Sequence, residues 1–152
     1  MKLQIKLSQQ SSLSPKLPSY ATKGSSGLDL CSANIGDIII KPNNSGLIPT
    51  GLSIALPIGF EAQVRPRSGL ALKKSITVLN TPGTIDSDYR GEIGIIIINH
   101  GKEDFIVSNG MKVAQLVVSK YEKVNLDICK ELDNTERGDG GFGSTGGMKK
   151  VS

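Results

Sequence analysis

The chain has 152 residues, a length typical of a single domain with a substantial buried core. Hydrophobic residues make up 38% of it but aromatic residues only 4%, so the core must be built mainly from Ile, Leu and Val, which favour strands. The net charge of +4 comes from scattered lysines without interleaved aromatic residues, which argues against nucleic-acid binding, and neither a membrane span nor a signal peptide is predicted.

The residue types that most often bind zinc are sparse. Cys31 and Cys129 lie far apart without Cys-x-x-Cys spacing, which fits reduced thiols in a cytoplasmic protein better than a disulfide framework. The single histidine, His100, lies between Asn99 and Gly101 in a tripeptide typical of a turn. We therefore predict neither a zinc site nor serine-histidine catalysis, and we expect a cytoplasmic protein.

Strands are predicted along most of the chain. Alternating apolar and polar residues predict half-buried strands at residues 3–7, 52–56 and 60–65. Short apolar runs bounded by Gly, Pro, Asn or Ser predict further strands at residues 38–40, 76–79, 93–98, 105–107, 113–118 and 124–128. Many short strands at this spacing are typical of a β-sandwich or barrel.

One segment has a helical pattern. Ser68–Lys74 combines good helix formers with a serine that can cap the first turn and with Lys73 and Lys74 at its carboxyl end. The run 93–98 is apolar on both faces except at Gly94, so it needs more cover than one small sheet provides. This pattern predicts an oligomer.

An elaborated hairpin is predicted from Asn80 to Gly94, between two apolar runs. It begins with a Pro82-Gly83 turn and continues with charged and aromatic side chains, namely Asp86, Asp88, Tyr89, Arg90 and Glu92. Such residues supply a proton acceptor, a flat contact surface and an anion clamp, although they are also ordinary constituents of a solvated turn.

The C-terminal segment changes character. Residues 130–136 are charged and polar, and residues 137–147 read R-G-D-G-G-F-G-S-T-G-G. This composition fits either a disordered end or a phosphate cradle, in which backbone N–H groups, Arg137, Ser144 and Thr145 bind phosphate oxygens while Phe142 stacks on a flat ring. It is not a Walker loop, because no Lys follows the glycines within a strand-to-helix frame.

Five segments together resemble, in order, the motifs of the trimeric deoxyuridine triphosphate nucleotidohydrolase (dUTPase) family. They read S-G-L-D-L at 26–30, P-R-S-G-L-A at 66–71, G-T-I-D-S-D-Y-R-G-E at 83–92, G-M-K-V-A-Q-L at 110–116 and R-G-D-G-G-F-G-S-T-G at 137–146. The resemblance covers almost the whole chain. Lys112 stands where the family often has Arg and Ser26 where it often has Ala, and neither is assigned a chemical role.

The resemblance implies an all-β, jelly-roll-like (β-clip) subunit with one short helix, which assembles as a homotrimer with active sites shared between chains. Residues 1–129 would form the catalytic domain and residues 130–152 a flexible arm that closes over the substrate. The implied reaction is Mg²⁺-assisted hydrolysis of dUTP to dUMP and pyrophosphate, which keeps uracil out of DNA and supplies dUMP for dTMP synthesis. Neither a nucleic-acid partner nor a membrane partner is expected.

The resemblance also assigns roles to individual residues. Asp86 is the implied base that activates water. The residues implied to contact uracil or deoxyribose are Asn80, Gly83, Thr84, Ile85, Tyr89 and Phe142. Those implied to bind phosphates are Arg67, Ser68, Gly69, Gln115, Arg137, Gly143, Ser144 and Thr145. Asp29 and Gln115 are implied to contact the metal through water.

Two alternatives remain open at this point. The nearer one is a dCTP deaminase, a relative with the same subunit fold, against which the glycine-rich tail with Phe142 argues. The other is a non-catalytic β-rich module that retains a nucleotide pocket for regulation or assembly, against which the presence of Asp86 argues.

Overall fold

The computed structural model describes residues 2–8 and 15–141. Within these ranges the chain forms twelve strands and one short helix. They are β1 (Gln4–Leu7), β2 (Ser19–Tyr20), β3 (Leu28–Cys31), β4 (Ile38–Ile40), β5 (Ser45–Pro49), β6 (Leu52–Ala55), β7 (Phe60–Arg65), α1 (Ser68–Lys74), β8 (Ile76–Val78), β9 (Gly83–Ile85), β10 (Gly94–Asn99), β11 (Phe105–Val107) and β12 (Lys112–Lys120).

The strands form four small antiparallel sheets around one core, in the jelly-roll-like arrangement that the sequence predicts. The largest sheet has the order β2-β3-β12-β7-β9, and a three-stranded sheet has the order β5-β10-β8. Two strand pairs, β1-β6 and β4-β11, complete the shell. Because most neighbours in these sheets are distant in sequence, the fold depends on long-range pairing rather than on successive hairpins.

Side-chain alternation along the strands separates core from surface. In β7, Ala62 and Val64 are buried, whereas Glu61, Gln63 and Arg65 lie on the outer face. The core is built from aliphatic residues with one aromatic ring, as the composition predicts. Its fully buried aliphatic side chains include Leu30, Ile48, Leu52, Ile95, Ile97, Val107 and Leu116.

Most of the predicted elements are confirmed, and the helix has the predicted bounds. Two predictions are wrong. Ser68 is the first helical residue rather than the cap, since the N-cap position belongs to Arg67, whose side chain makes no capping hydrogen bond. Residues 124–128 form no strand, because no strand within residues 2–8 and 15–141 pairs with them.

The predicted hairpin has a regular base and an irregular middle. At its base, Val78 of β8 pairs with Ile97 of β10. Its middle contains β9, which leaves this sheet and pairs with β7 through Gly83 and Val64. The hairpin therefore connects the two larger sheets. The loop after β9 is anchored to the five-stranded sheet through β9 and to the three-stranded sheet through β10.

A β-bulge interrupts β12 near its start. The register against β3 shifts between Lys112 and Ala114, after which Gln115 lies opposite Asp29. In a regular strand, residues three apart point to opposite faces of the sheet. Because the bulge adds one residue on this strand, Lys112 and Gln115 both reach the side of the sheet on which Asp29 lies.

After Lys120 the described chain contains no further helix or strand. Val124, Leu126 and Ile128 alternate with polar residues and are 72%, 92% and 97% exposed. The boundary expected at residue 129 stays a prediction, although the last strand of the core ends nine residues earlier. In the part of the chain that the structure describes, no helix has the length and apolarity needed to cross a membrane.

Candidate active site

The hairpin surrounds a cavity of about 180 Å³. Its floor consists of aliphatic side chains of the core, and its rim carries the polar groups that the sequence analysis singled out. The predicted site residues that line it are Asn80, Gly83, Thr84, Ile85, Asp86 and Tyr89. All of the uracil and deoxyribose positions expected in this hairpin are thus brought together in one cavity.

The loop after β9 is shaped by hydrogen bonds within itself. The Tyr89 N–H donates to the Asp86 carbonyl at 3.2 Å. The Arg90 guanidinium donates to the carbonyls of Ser87 and Tyr89 at 2.7 and 2.8 Å. Arg90 therefore braces the loop, whereas the Asp86 carboxylate is exposed and makes no hydrogen bond or ion pair with any described residue. An exposed carboxylate on a braced loop is suited to accept a proton from a bound water.

A second cluster lies at the other end of the large sheet. Asp29 Oδ2 is 2.7 Å from Lys112 Nζ, and Asp29 Oδ1 is 3.3 Å from Arg67 Nε. Arg67 Nη1 also donates to the Lys112 carbonyl at 3.1 Å. Three of the five motifs therefore meet here, and two cations surround one carboxylate that is only 13% exposed. The surplus positive charge suits a polyanion.

Gln115 lies beside this cluster, between Asp29 on β3 and Arg65 on β7. Its Nε2 donates to the Pro66 carbonyl at 3.0 Å, while its Oε1 lies against Gly27. A Cβ added to Gly27 would lie 2.2 Å from that oxygen. Gly27 is therefore needed for the observed position of the Gln115 amide.

Ser68 and Gly69 begin α1 and are both exposed. The first N–H groups of any helix have no carbonyl partner within the helix, so these two residues present free donors next to Arg67. The serine hydroxyl is not used as a cap. The structure thus places the three predicted phosphate-binding residues of the second motif side by side.

The described residues offer few side-chain ligands for a metal ion. Among residues 2–8 and 15–141, no group of three His, Cys, Asp or Glu side chains converges on one point. Asp29 and the amide oxygen of Gln115 offer only a small oxygen donor set. Such a set fits Mg²⁺, which commonly keeps several waters and binds largely through substrate phosphates.

Asp86 and the ion-pair cluster lie at different positions along the large sheet of one chain. Ile85 pairs with Ala62, so Asp86 lies level with Glu61, six residues before Arg67. Six residues of fully extended chain span roughly 20 Å, which is the upper limit of this separation because β7 ends at Arg65. The Arg67 guanidinium donates a hydrogen bond to the Lys112 carbonyl, near the start of β12. The level of Asp86 corresponds to Ser119 near the end of β12, because Ser119 pairs with Glu61. The guanidinium therefore points away from Asp86.

The C-terminal motif is only partly described. Arg137 is exposed and its Nε donates to the Gly140 carbonyl at 2.7 Å, which closes a small turn. The predicted ligands Phe142, Gly143, Ser144 and Thr145 lie outside the described residues.

Three residues near the cavity and the ion-pair cluster had no role assigned from the sequence. Lys112 was noted only as a departure from the family pattern, yet it contacts Asp29. Gly27 and Glu92 were noticed only as members of their motifs. The contact of Lys112 depends on the bulge in β12, and the contacts of Glu92 depend on the β5–β6 turn. The local sequence around these residues does not predict either contact.

Comparisons with known proteins agree on one family. The dUTPase family model matches residues 14–146. A deoxyuridine 5'-triphosphate nucleotidohydrolase of Rickettsia canadensis (strain McKiel) is 57% identical over 143 residues, covering 94% of this chain and 97% of that protein. The Rickettsia felis protein of the same name is 55% identical, with the same coverage.

Two solved structures with the same fold are phage dUTPases. The Staphylococcus bacteriophage 80alpha dUTPase with dUPNHPP has a TM-score of 0.85 and 25% identity, covering 95% of this chain and 98% of that one. A dUTPase variant from phage phi11 of S. aureus, described for its coordination of a structural Mg(II) ion, has a TM-score of 0.76 and 22% identity, covering 86% and 98% of the two chains.

Proposed function

The chain belongs to the dUTPase family, and from this premise we propose that it hydrolyses dUTP to dUMP and pyrophosphate. The observation that carries the proposal is the hairpin cavity, which combines the expected nucleoside contacts with an unpaired carboxylate at Asp86. The reaction would keep uracil out of DNA and supply dUMP for dTMP synthesis. We expect it to take place in the cytoplasm.

Asp86 is the proposed general base. Its carboxylate accepts a proton from a water, whose oxygen then forms a bond to the α-phosphorus of dUTP. The bond between the α-phosphorus and the oxygen that bridges to the β-phosphorus breaks, and pyrophosphate leaves with the bonding electrons. Such a displacement depends mainly on positioning and on stabilising charge, which is consistent with a braced loop.

The ion-pair cluster is the proposed phosphate site. Arg67 can bind two phosphate oxygens at once through its forked guanidinium, and Ser68 and Gly69 add backbone donors at the start of α1. Asp29 and Gln115 would contact Mg²⁺ through water, and this ion would neutralise the triphosphate as its charge develops. Arg137 and residues 143–145 would bind the outer phosphates, with Phe142 over the uracil.

We propose that each active site combines residues of different chains. The positions of Asp86 and Arg67 along the large sheet support this, because Arg67 is held at the Lys112 carbonyl while a general base must lie within hydrogen-bond reach of its water. Leu47 and Ile96, paired across β5 and β10, are 64% and 37% exposed and supply an apolar surface for assembly. A homotrimer is the proposed assembly.

The arm after Lys120 is proposed to cross to a neighbouring subunit. Val124, Leu126 and Ile128 have the alternation of a strand but are largely exposed, with little cover from the part of the chain that the structure describes. An extended segment of this kind can pair with a sheet edge of another copy. Its tail would then close over a site to which its own subunit does not contribute the base.

The hairpin is proposed to select the base and the sugar. Its cavity of about 180 Å³ is lined by hairpin backbone, polar side chains and aliphatic side chains, and we expect it to leave too little space for the methyl group of dTTP. Tyr89 lines the same cavity and would meet the 2′-hydroxyl of UTP. A clash in a braced pocket discriminates more strongly than the ~1–3 kcal/mol of a missing methylene.

The deciding experiment measures pyrophosphate release from dUTP, dTTP, UTP and dCTP by the purified protein with Mg²⁺. We expect rapid release from dUTP alone. Release of ammonia from dCTP would instead identify a deaminase. Tight nucleotide binding without either product would identify a non-catalytic module.

A further inference from the structure

The position of the Tyr89 ring is set by the loop that follows it. The Tyr89 hydroxyl donates to the Glu92 carbonyl at 3.0 Å, so the ring folds back over the intervening chain. The ring lies directly on Gly91, where an added Cβ would be 2.3 Å from the hydroxyl oxygen and 2.5 Å from Cζ. The ring therefore has a fixed acceptor and a fixed surface beneath it.

The Glu92 side chain joins this loop to the buried turn between β5 and β6. Glu92 Oε1 accepts hydrogen bonds from the N–H groups of Thr50 and Gly51, at 3.1 and 2.8 Å. Gly51 has a φ of +67°, a conformation that turns the two successive N–H groups toward one anion. Hydrogen bonds to a carboxylate are stronger than those between neutral groups.

The turn that binds Glu92 is itself rigid. Thr50 and Leu52 are fully buried. The Thr50 hydroxyl donates to the Ile93 carbonyl at 2.6 Å, and the Ile93 N–H donates to the Leu52 carbonyl at 2.7 Å. Two hydrogen bonds thus hold the Glu92 carboxylate, and two more hold the backbone of the next residue, Ile93. Together they fix the main chain at Glu92, including the carbonyl that the Tyr89 hydroxyl contacts.

We propose that Glu92 is a positioning residue for sugar selectivity: its carboxylate anchors the loop on the β5–β6 turn, fixes the acceptor of Tyr89, and thereby sets how closely the ring approaches the 2′ position of the nucleotide. The inference rests on the proposed function. It assigns to Glu92 an effect on the choice between dUTP and UTP rather than on the chemical step.

The test compares kcat/KM for dUTP and UTP in four single variants. Glu92→Ala removes the anchor, and we expect the dUTP-to-UTP ratio to fall about tenfold, the effect of losing a charged hydrogen-bond acceptor. Glu92→Gln keeps an oxygen that can accept both N–H groups, so it should recover most of the ratio. Tyr89→Phe, which keeps the ring and loses the hydroxyl, should lower the ratio to a similar extent.

Glu103→Ala serves as the matched control, because it removes an exposed carboxylate on another loop. Its ratio should equal that of the wild type. The double variant Tyr89→Phe with Glu92→Ala should lower the ratio no further than either single change, since both break one connection.

The outcomes separate the two proposals. If the wild type releases no pyrophosphate from dUTP, the proposed function fails and this inference falls with it. If the wild type is selective but Glu92→Ala slows both substrates in parallel, Glu92 is only structural. If the losses in the dUTP-to-UTP ratio add up in the double variant, Glu92 does not act through Tyr89. This conclusion holds whether or not Glu92→Ala also lowers the melting temperature.

Discussion

Lys112 Nζ lies 2.7 Å from Asp29 Oδ2, and this ion pair exists because β12 contains a bulge. Without the bulge, Lys112 and Gln115 would point to opposite faces of the sheet. The extra residue brings both to Asp29, where the Lys112 carbonyl also accepts a hydrogen bond from Arg67. One backbone irregularity thus assembles three motifs into the proposed phosphate site.

We expect Lys112→Met to weaken binding of a non-hydrolysable dUTP analogue about tenfold, because Asp29 loses a fixed partner and the site loses a cation. Lys112→Arg should retain most of the affinity. Isothermal titration in the presence and absence of Mg²⁺ measures the effect. The melting temperature should change little, since an ion pair with a 47% exposed lysine stabilises the fold only weakly. Equal affinity in wild type and Lys112→Met would remove Lys112 from the site.

Gly27→Ala is expected to displace the Gln115 side chain. The new Cβ would lie 2.2 Å from Gln115 Oε1, so the amide must rotate away from the Pro66 carbonyl. We expect kcat/KM for dUTP to fall at least tenfold. We also expect a modest loss of stability, because the part-buried hydrogen bond from Gln115 to the Pro66 carbonyl is broken. Gly24→Ala is the control, since nothing lies within 4 Å of its added Cβ. Unchanged kinetics for Gly27→Ala would mean that Gln115 does not act where it is observed.

Asp86→Asn is expected to leave nucleotide binding and the fold intact while lowering kcat by about two to four orders of magnitude, the range for a lost general base. Single-turnover hydrolysis of dUTP and titration with the analogue measure the two effects separately. Asp88→Asn is the matched control, because Asp88 lies on the same loop and is also exposed. A larger loss of kcat in Asp88→Asn would transfer the role of base to Asp88.

Shared active sites predict complementation between two inactive variants. Asp86→Asn and Arg67→Gln are refolded together in equal amounts, so that a working site takes its base from an Arg67→Gln chain and its phosphate clamp from an Asp86→Asn chain. Random assembly of a cyclic oligomer then restores about a quarter of the wild-type sites. Preparations refolded separately and mixed briefly are the control.

The same design tests the arm. Asp86→Asn is combined with a chain that ends at Glu136, which lacks the glycine-rich motif. If the tail closes over a site whose base belongs to another subunit, activity should again return to about a quarter. Mixed oligomers that form but stay inactive would mean that each base works with the tail of its own chain.

Local sequence predicted eight of the twelve strands, the helix from Ser68 to Lys74 and the fold family, whereas β2, β3, β5 and β9 were not predicted. Each depends on a signal that is contiguous in the chain, such as alternation in β7, helix formers in α1, or the residue types of a motif. The residues around the hairpin cavity could also be predicted, because they belong to one short segment that folds back on itself.

Only the tertiary structure decided which residues meet across the fold. The pairing of β9 with β7, the bulge before Ala114 and the contacts of Glu92 with the β5–β6 turn all join segments that are distant in sequence. Strand pairing gains its free energy from partners rather than from intrinsic preference, and for this reason residues 124–128, with strand-like alternation but no pairing partner among the described residues, form no strand. The separation between Asp86 and Arg67 follows from register alone, which no local pattern contains.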